Sequence, residues 1–443
     1  MPTTQIFYAS SLYGAATLAA AIDSGCFDEA DRRLLLVANN ATTPETSVAL
    51  DRMPGFEGLR GRFDGVLSWN ETIAPFHPGG WAPRGDDIPL WERYLRQLWE
   101  LGDDRVELAV ESIQVNPALA IAQLFPDATL DVYADGLMSY GPTRNKIDPL
   151  VGERVRRLFH LDLVPGLRPL LLAEFGAQPR IIPTEAFVKV IAELSDAAQD
   201  DVDASASQVG EGPALLLGQY LAALGIITPK EEEELHVRMV KGAVALGHRR
   251  IVFKPHPTAP ASWTRTLERE AAELDAELTV LDRPLLAEVL YRQLRPALVA
   301  GCFSTALLTA STFYDIPVAR IGTEPLLDRL TPYQNSNRVP LTIVDALLPD
   351  LEAGEAGAPA EAGERLTGLL TAVGFAMQPQ LRPDLRPGAE RFLSSGADSR
   401  VWRYFKRRRL TVLGLPGGIP VPRHAAVRRV VRRARRLKRA ALG

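Results

Sequence analysis

Apolar positions along the chain gather in short runs, and longer amphipathic stretches separate them. In the first half, runs at 5–9, 34–37, 106–110 and 130–133 read as strands. A small-residue turn at 10–14 follows the first run, and helices are predicted at 15–21 and 117–125. Short β-rich runs alternating with helices imply a mostly parallel sheet. The alternation resumes after residue 213, with strands predicted at 214–217, 250–253, 279–281, 297–299 and 317–320. Thr228-Pro229-Lys230-Glu231 opens a helix, with Thr as N-cap, Pro in the first turn and Glu three residues after the cap. Leu235, Met239, Val240, Ala243 and Val244 give it one apolar face, and Gly247 ends it.

Between the two units, residues 195–213 are acidic and small, the composition of a linker or exposed loop. Residues 350–364 (DLEAGEAGAPAEAGE) are low in complexity and read as mobile. A chain of 443 residues accommodates two domains with extensions. The expected fold class is α/β, with two Rossmann-like domains, 1–205 and 212–345, facing a cleft. A mobile segment with returning helices (346–400) and a basic tail (401–443) complete the organisation. In open α/β sheets ligands bind beyond the carboxyl ends of the strands, so chemistry is expected just after a strand.

Charge and composition narrow the class. Residues 401–443 hold fourteen of the 50 Lys and Arg and none of the 54 Asp and Glu, so an acidic body carries a basic end. In that end Val427, Val430, Val431, Ala434, Leu437 and Ala441 recur at helical spacing among cations, which predicts an amphipathic helix. Trp402, Tyr404 and Phe405 stand beside the cations at 406–409, a combination suited to an anionic membrane surface. A solvated tail is the plainer alternative. Nucleic acid is disfavoured, because no other binding signature accompanies the charge. No run approaches the ~20 apolar residues of a membrane span, and the apolar stretch 5–22 lacks the basic start of a signal peptide. Cys26 and Cys302 suggest neither a disulfide framework nor a zinc site, which fits a reducing compartment. The expected location is cytoplasmic, peripheral on the inner face of the membrane.

Four constellations follow predicted strands. Lys254-Pro255-His256-Pro257 fixes the backbone around one imidazole and places an ammonium beside it, a pairing that suits a phosphate. A proline-rich loop with a surface histidine is the alternative. Gly301-Cys302-Phe303-Ser304-Thr305 sets hydroxyls at a strand-to-helix turn, either as anion donors or as an ordinary N-cap. Tyr133-Ala134-Asp135-Gly136 brings a carboxylate to a strand end as a general base or a plain turn. Glu288, at a helix start, suits ribose hydroxyls or is a solvated charge.

In this order the segments resemble the bacterial GT-B sialyltransferases and polysialyltransferases, which carry an acid-acid-Gly, a His-Pro and a Ser-Ser/Thr motif. The matches are Ala134-Asp135-Gly136, His256-Pro257 and Ser304-Thr305. Leu217-Gly218-Gln219-Tyr220 is similar to the family's loop after the first donor-domain strand, and the stretch from Trp69-Asn70-Glu71 to Phe76-His77-Pro78 looks polysialyltransferase-like. The resemblance spans roughly residues 5–325, with sharp motifs at about twenty positions. It implies a GT-B fold with an acceptor-side first domain and a nucleotide-sugar second domain. It further implies an inverting, metal-independent transfer of a nonulosonic sugar from a CMP-activated donor to a hydroxyl of a cell-surface glycan, with no cofactor. Lys254, His256 and Pro257, with Ser304 and Thr305, would hold the donor phosphate. Glu288 would hold the ribose, and Gly218 and Gln219 would let the backbone approach the donor. Ala134 stands where the family has its first acid, so the base would be Asp135, Glu111 or Asp131. A nucleotide-sugar or glycan-binding protein without turnover, or a GT-B transferase for another donor, is the alternative.

Overall fold

The computed structural model describes residues 1–134, 136–198, 212–255, 261–395 and 399–419. Its first half is a seven-stranded sheet in the order β3-β2-β1-β4-β5-β6-β7. These strands are β1 (Thr3–Ala9), β2 (Arg32–Val37), β3 (Gly65–Ser68), β4 (Arg105–Val110), β5 (Thr129–Ala134), β6 (Val155–Leu161) and β7 (Gln178–Ile182). The second sheet runs β10-β9-β8-β11-β12. It comprises β8 (Ala214–Leu217), β9 (Arg250–Lys254), β10 (Glu277–Val280), β11 (Leu298–Gly301) and β12 (Val318–Arg320). All pairings between these strands are parallel. Both sheets follow the 3-2-1-4-5 order of doubly wound nucleotide folds, so each direction of winding reverses once. The reversals fall between β1 and β4 and between β8 and β11.

Helices cover both faces of the central strands, which explains their continuous apolar runs. Ile6, Phe7 and Tyr8 of β1 are all buried, as are Leu34, Leu35 and Leu36 of β2. Every strand predicted from the apolar runs is present. The capping box is too: Thr228 and Glu231 each satisfy the other's backbone N–H at the start of helix Pro229–Ala245. Three strands were missed, β3, β6 and β7. β3 and β7 are sheet edges with half-exposed residues, and β6 carries Arg156 and Arg157.

Two other readings change. Helix Thr184–Ala197 extends into the expected linker, where Ser195 is buried. The remainder of that linker, 199–211, lies outside the described residues. Residues 350–364, read as mobile, line the otherwise open edge of β12. Val318 and Gly357 exchange both backbone hydrogen bonds at 2.9 and 3.1 Å, and Arg320 pairs with Asp350 at 3.1 Å. Leu351 is buried beneath the helix Pro229–Ala245 at Gly242. Small residues let this segment cover an edge that would otherwise expose unpaired backbone groups.

The halves share buried surface. Phe187 packs its ring on Tyr13 of the first half at 5.3 Å and on Phe313 of the second at 5.9 Å. Thr312 donates to the Leu163 carbonyl at 3.2 Å, and Gln293 to the Ser195 carbonyl at 3.1 Å. The predicted amphipathic helix of the basic tail lies outside the described residues. Among the described residues, no helix is long and apolar enough to cross a membrane.

Candidate active site

The carboxyl ends of the two sheets meet. Gly136, just beyond β5, and Thr305, just beyond β11, are in contact, and the Leu137 N–H donates to Thr305 Oγ1 at 3.4 Å. The sequence-predicted Asp-Gly turn and hydroxyl pair are therefore neighbours across the cleft. Asp135, His256 and Pro257 themselves lie outside the described residues.

On the first half, Glu111 directly follows β4 and sits at the reversal between β1 and β4. It is buried, and Ser10, the residue after β1, donates to its Oε1 through N–H at 2.9 Å and through its hydroxyl. Tyr133 Oη donates to Oε2 at 3.1 Å and also lies 2.9 Å from the Tyr8 carbonyl. A Cβ on Gly14 would come 2.8 Å from Oε2, so only glycine leaves room for this carboxylate. Charge-stabilising donors thus hold Glu111 in one orientation. Ser10 and Tyr133 were not read from the sequence as site residues. Ser10 carries the same signal as the motifs that were, a polar residue just past an apolar strand.

Asp131 is corrected. It lies inside β5, where Arg156 reaches it at 2.9 Å and Arg157 at 2.6 Å from β6. The carboxylate is taken up by two guanidinium groups and is not at the strand's end.

On the second half, Gly218 follows β8, and its N–H donates to the Lys254 carbonyl at 2.9 Å. Gln219 crosses the reversal between β8 and β11: its Oε1 accepts the Phe303 N–H at 2.7 Å. The glutamine thus pins the loop Cys302-Phe303-Ser304 by its side chain, a role the sequence reading gave to its backbone. Ser304 caps helix Thr305–Tyr314 by accepting the Ala306 N–H at 3.3 Å. This is the N-cap reading of the hydroxyl.

On this side Glu288 is buried and Lys254 half-buried, and they feel each other's charge. Burial pushes the Lys254 ammonium down from its ordinary pKa, and Glu288 and Asp282 oppose that. Burial pushes the Glu288 carboxyl up, opposed by the Thr309 hydrogen bond and by Lys254. Glu288 is 2% exposed, and Thr309 Oγ1 donates to its Oε1 at 2.6 Å. It is therefore a buried carboxyl held by Thr309, not the solvated helix charge of the plainer reading. In the polysialyltransferase-like stretch Trp69 is buried, whereas exposed His77 holds the Ala41 carbonyl through Nε2 at 2.9 Å.

Two Rossmann-like domains whose carboxyl ends meet give the GT-B fold. The chain belongs to the alpha-2,8-polysialyltransferase family, whose profile matches residues 5–323. Among solved structures it is similar to a sialyltransferase from Photobacterium damselae, at 13% identity and a TM-score of 0.45, covering 76% of this chain and 95% of that one. It is also similar to a UDP-GlcNAc 2-epimerase from Methanocaldococcus jannaschii, at 13% identity and a TM-score of 0.43, covering 72% and 83%. No curated protein matches the chain.

Proposed function

We propose that this glycosyltransferase moves a sialic-acid-like sugar from a CMP-activated donor to a hydroxyl of a cell-surface glycan, inverting the anomeric centre in one displacement without a metal. The observation that carries the reading is that Lys254 ends β9 and Ser304-Thr305 opens the helix after β11, both at the carboxyl end of the second sheet, in a chain of this family. Lys254 offers a point charge to the donor phosphate, and the capped helix start offers hydroxyl and backbone donors. His256 and Pro257 complete the phosphate clamp, with His256 stabilising the charge that builds on the leaving CMP. Gly218 and Gln219 shape the loop against which the donor lies. Glu288 opposes the downward push of burial on the Lys254 ammonium, and is the acid we assign to the ribose.

The general base is Asp135 or Glu111. Glu111 is favoured by its place at the strand reversal and by three donated hydrogen bonds that hold it ready as an acceptor. The basic residues from Arg423 to Arg439 hold the enzyme on an anionic membrane surface on the cytoplasmic side, close to a lipid-proximal acceptor. The aromatics expected to face that surface do not, because Tyr404 and Phe405 are buried against the body, where Arg403 and Lys406 pair with Asp345 and Asp328.

The test is release of CMP from a CMP-linked donor, with and without acceptor. His256→Ala is expected to lose release by two to three orders of magnitude, as for removal of an oxyanion donor. A wild-type rate in that variant would overturn the phosphate assignment. Glu111→Gln and Asp135→Asn, compared for transfer at matched donor binding, identify the base. Co-sedimentation of the full chain with phosphatidylserine vesicles, lost in high salt, tests the membrane role.

A further inference from the structure

We propose that the turn Leu137–Tyr140 is the seat on which the two halves close, and that Gly136, Gly141 and Thr305 are positioning residues for transfer. The proposal rests on the reading that transfer takes place in this cleft.

The turn follows β5 and is bracketed by Gly136 and Gly141. Neither glycine is needed for its backbone conformation. Gly136 has φ −158° and ψ −178°, and Gly141 has φ −91° and ψ 161°, extended values open to any residue. What each position requires is space. A Cβ on Gly136 would lie 2.9 Å from Thr305 Oγ1, and a Cβ on Gly141 would lie 2.9 Å from Val339 Cγ2. Thr305 and Val339 both belong to the second half, on helices Thr305–Tyr314 and Arg338–Leu347. Each end of one short turn therefore receives a side chain from the opposite half. Leu137 and Val339 are buried, so the contact also excludes water.

The chemistry at Thr305 links this seat to the donor. Its oxygen accepts the Leu137 N–H, which leaves its own hydrogen for an acceptor oxygen such as a donor phosphate. A bound phosphate then fixes the Thr305 rotamer, Thr305 fixes Leu137, and Leu137 fixes the end of β5 where the acceptor-side turn begins. One hydroxyl thereby couples donor occupancy to the geometry of the acceptor half. A second copy of the same logic, without a hydroxyl, operates at Gly141 and Val339 as a purely steric stop.

The test is a double-variant cycle on the full chain, read in two ways. Small-angle scattering without substrate reports closure. Gly136→Ala and Gly141→Ala are each expected to raise the radius of gyration by holding the halves apart. Thr305→Ala removes the atom that Gly136→Ala meets, so the double variant returns to the wild-type radius, whereas Thr305→Ala does not rescue Gly141→Ala. A wild-type radius in Gly136→Ala, or a double variant as open as Gly136→Ala, overturns the seat. Transfer from a CMP-linked donor reports coupling. Gly136→Ala is expected to lose on the order of tenfold, and the double variant to recover to the level of Thr305→Ala. Thr305→Ser keeps transfer and Thr305→Val loses it at an unchanged radius; equal rates for those two overturn the hydroxyl's role. If wild type itself transfers nothing, the functional reading fails, while the scattering result still judges the seat.

Discussion

At the scale of single residues, the cleft is organised by what surrounds its carboxylates. Glu111, Asp131 and Glu288 all sit in or beside strands and helix starts of similar composition. Their partners separate them. Glu111 meets neutral donors, Ser10 and Tyr133; Asp131 meets two arginines; Glu288 meets a threonine and the charge of Lys254. Gly14 gives this a sharp test. In an ordinary helix Gly→Ala stabilises by ~0.5–1 kcal/mol. Here the new methyl would stand 2.8 Å from Glu111 Oε2 and 3.0 Å from Tyr133 Oη. Displacement of the carboxylate outweighs the helix gain. Gly14→Ala is expected to lower transfer at least tenfold while circular dichroism keeps its helical signal; undiminished transfer would remove Glu111 from the reaction. The position of Glu111 was legible because it directly follows an apolar run. Its partners were not, because Ser10 and Tyr133 converge on it from strands 101 and 22 residues away in sequence.

At the scale of elements, β6 shows why some strands escaped a reading based on apolar runs. Its arginines are tolerated in the sheet because both reach Asp131 on β5 while keeping some contact with solvent, and that pairing spans 25 and 26 residues. Asp131→Asn should therefore cost about 2–3 kcal/mol in urea unfolding, below the 3–5 kcal/mol of a fully buried pair because both arginines reach solvent. Transfer per folded molecule should be unchanged. Helix Pro229–Ala245, by contrast, was legible from cap to stop, since its signals are local. One of its residues carries a pH dependence. His236 is buried against the Phe253 ring, 5.0 Å between centroids, and burial depresses its pKa to about 4. A folded-state pKa below the unfolded value of ~6.5 means full stability above pH 6.5, lost as pH falls towards 4. The contribution is on the order of 2–3 kcal/mol. Unfolding free energies measured from pH 7 to 4 should fall less steeply in His236→Leu than in wild type. His160 and His248, whose pKa values burial also lowers, add to the slope that remains, as do Glu231 and Asp384, whose carboxyls hydrogen bonds hold below their ordinary values.

At the scale of the whole molecule, the acidic body and the basic end are joined at one buried carboxylate. Asp345, on helix Arg338–Leu347, accepts from Thr323 Oγ1 at 2.6 Å and from Tyr404 Oη at 2.7 Å. It pairs with Arg403 at 3.0 Å and with Arg320 of β12 at 3.5 Å. Tyr404 lies in the segment Ser399–Tyr404, from which the chain continues through helix Arg407–Leu413 to the basic tail. Lys406 reinforces the attachment at Asp328, 2.7 Å away, and Arg409 at the Ala376 carbonyl, 2.8 Å away. A tail that is to hold the enzyme on a surface must leave the body from a fixed point, or surface binding would not orient the cleft. Asp345→Ala leaves Arg320 and Arg403 facing each other without their shared counter-charge, a loss of ~3–5 kcal/mol for a buried ionic group. Asp345→Asn keeps an acceptor for Thr323 and Tyr404 and should lose about half as much. Limited proteolysis under native conditions distinguishes detachment from global unfolding. In Asp345→Ala the segment from Ser399 onward should be released well before the two sheets are cut. Release at the wild-type rate would show that Lys406 and Arg409 alone seat the C-terminal end.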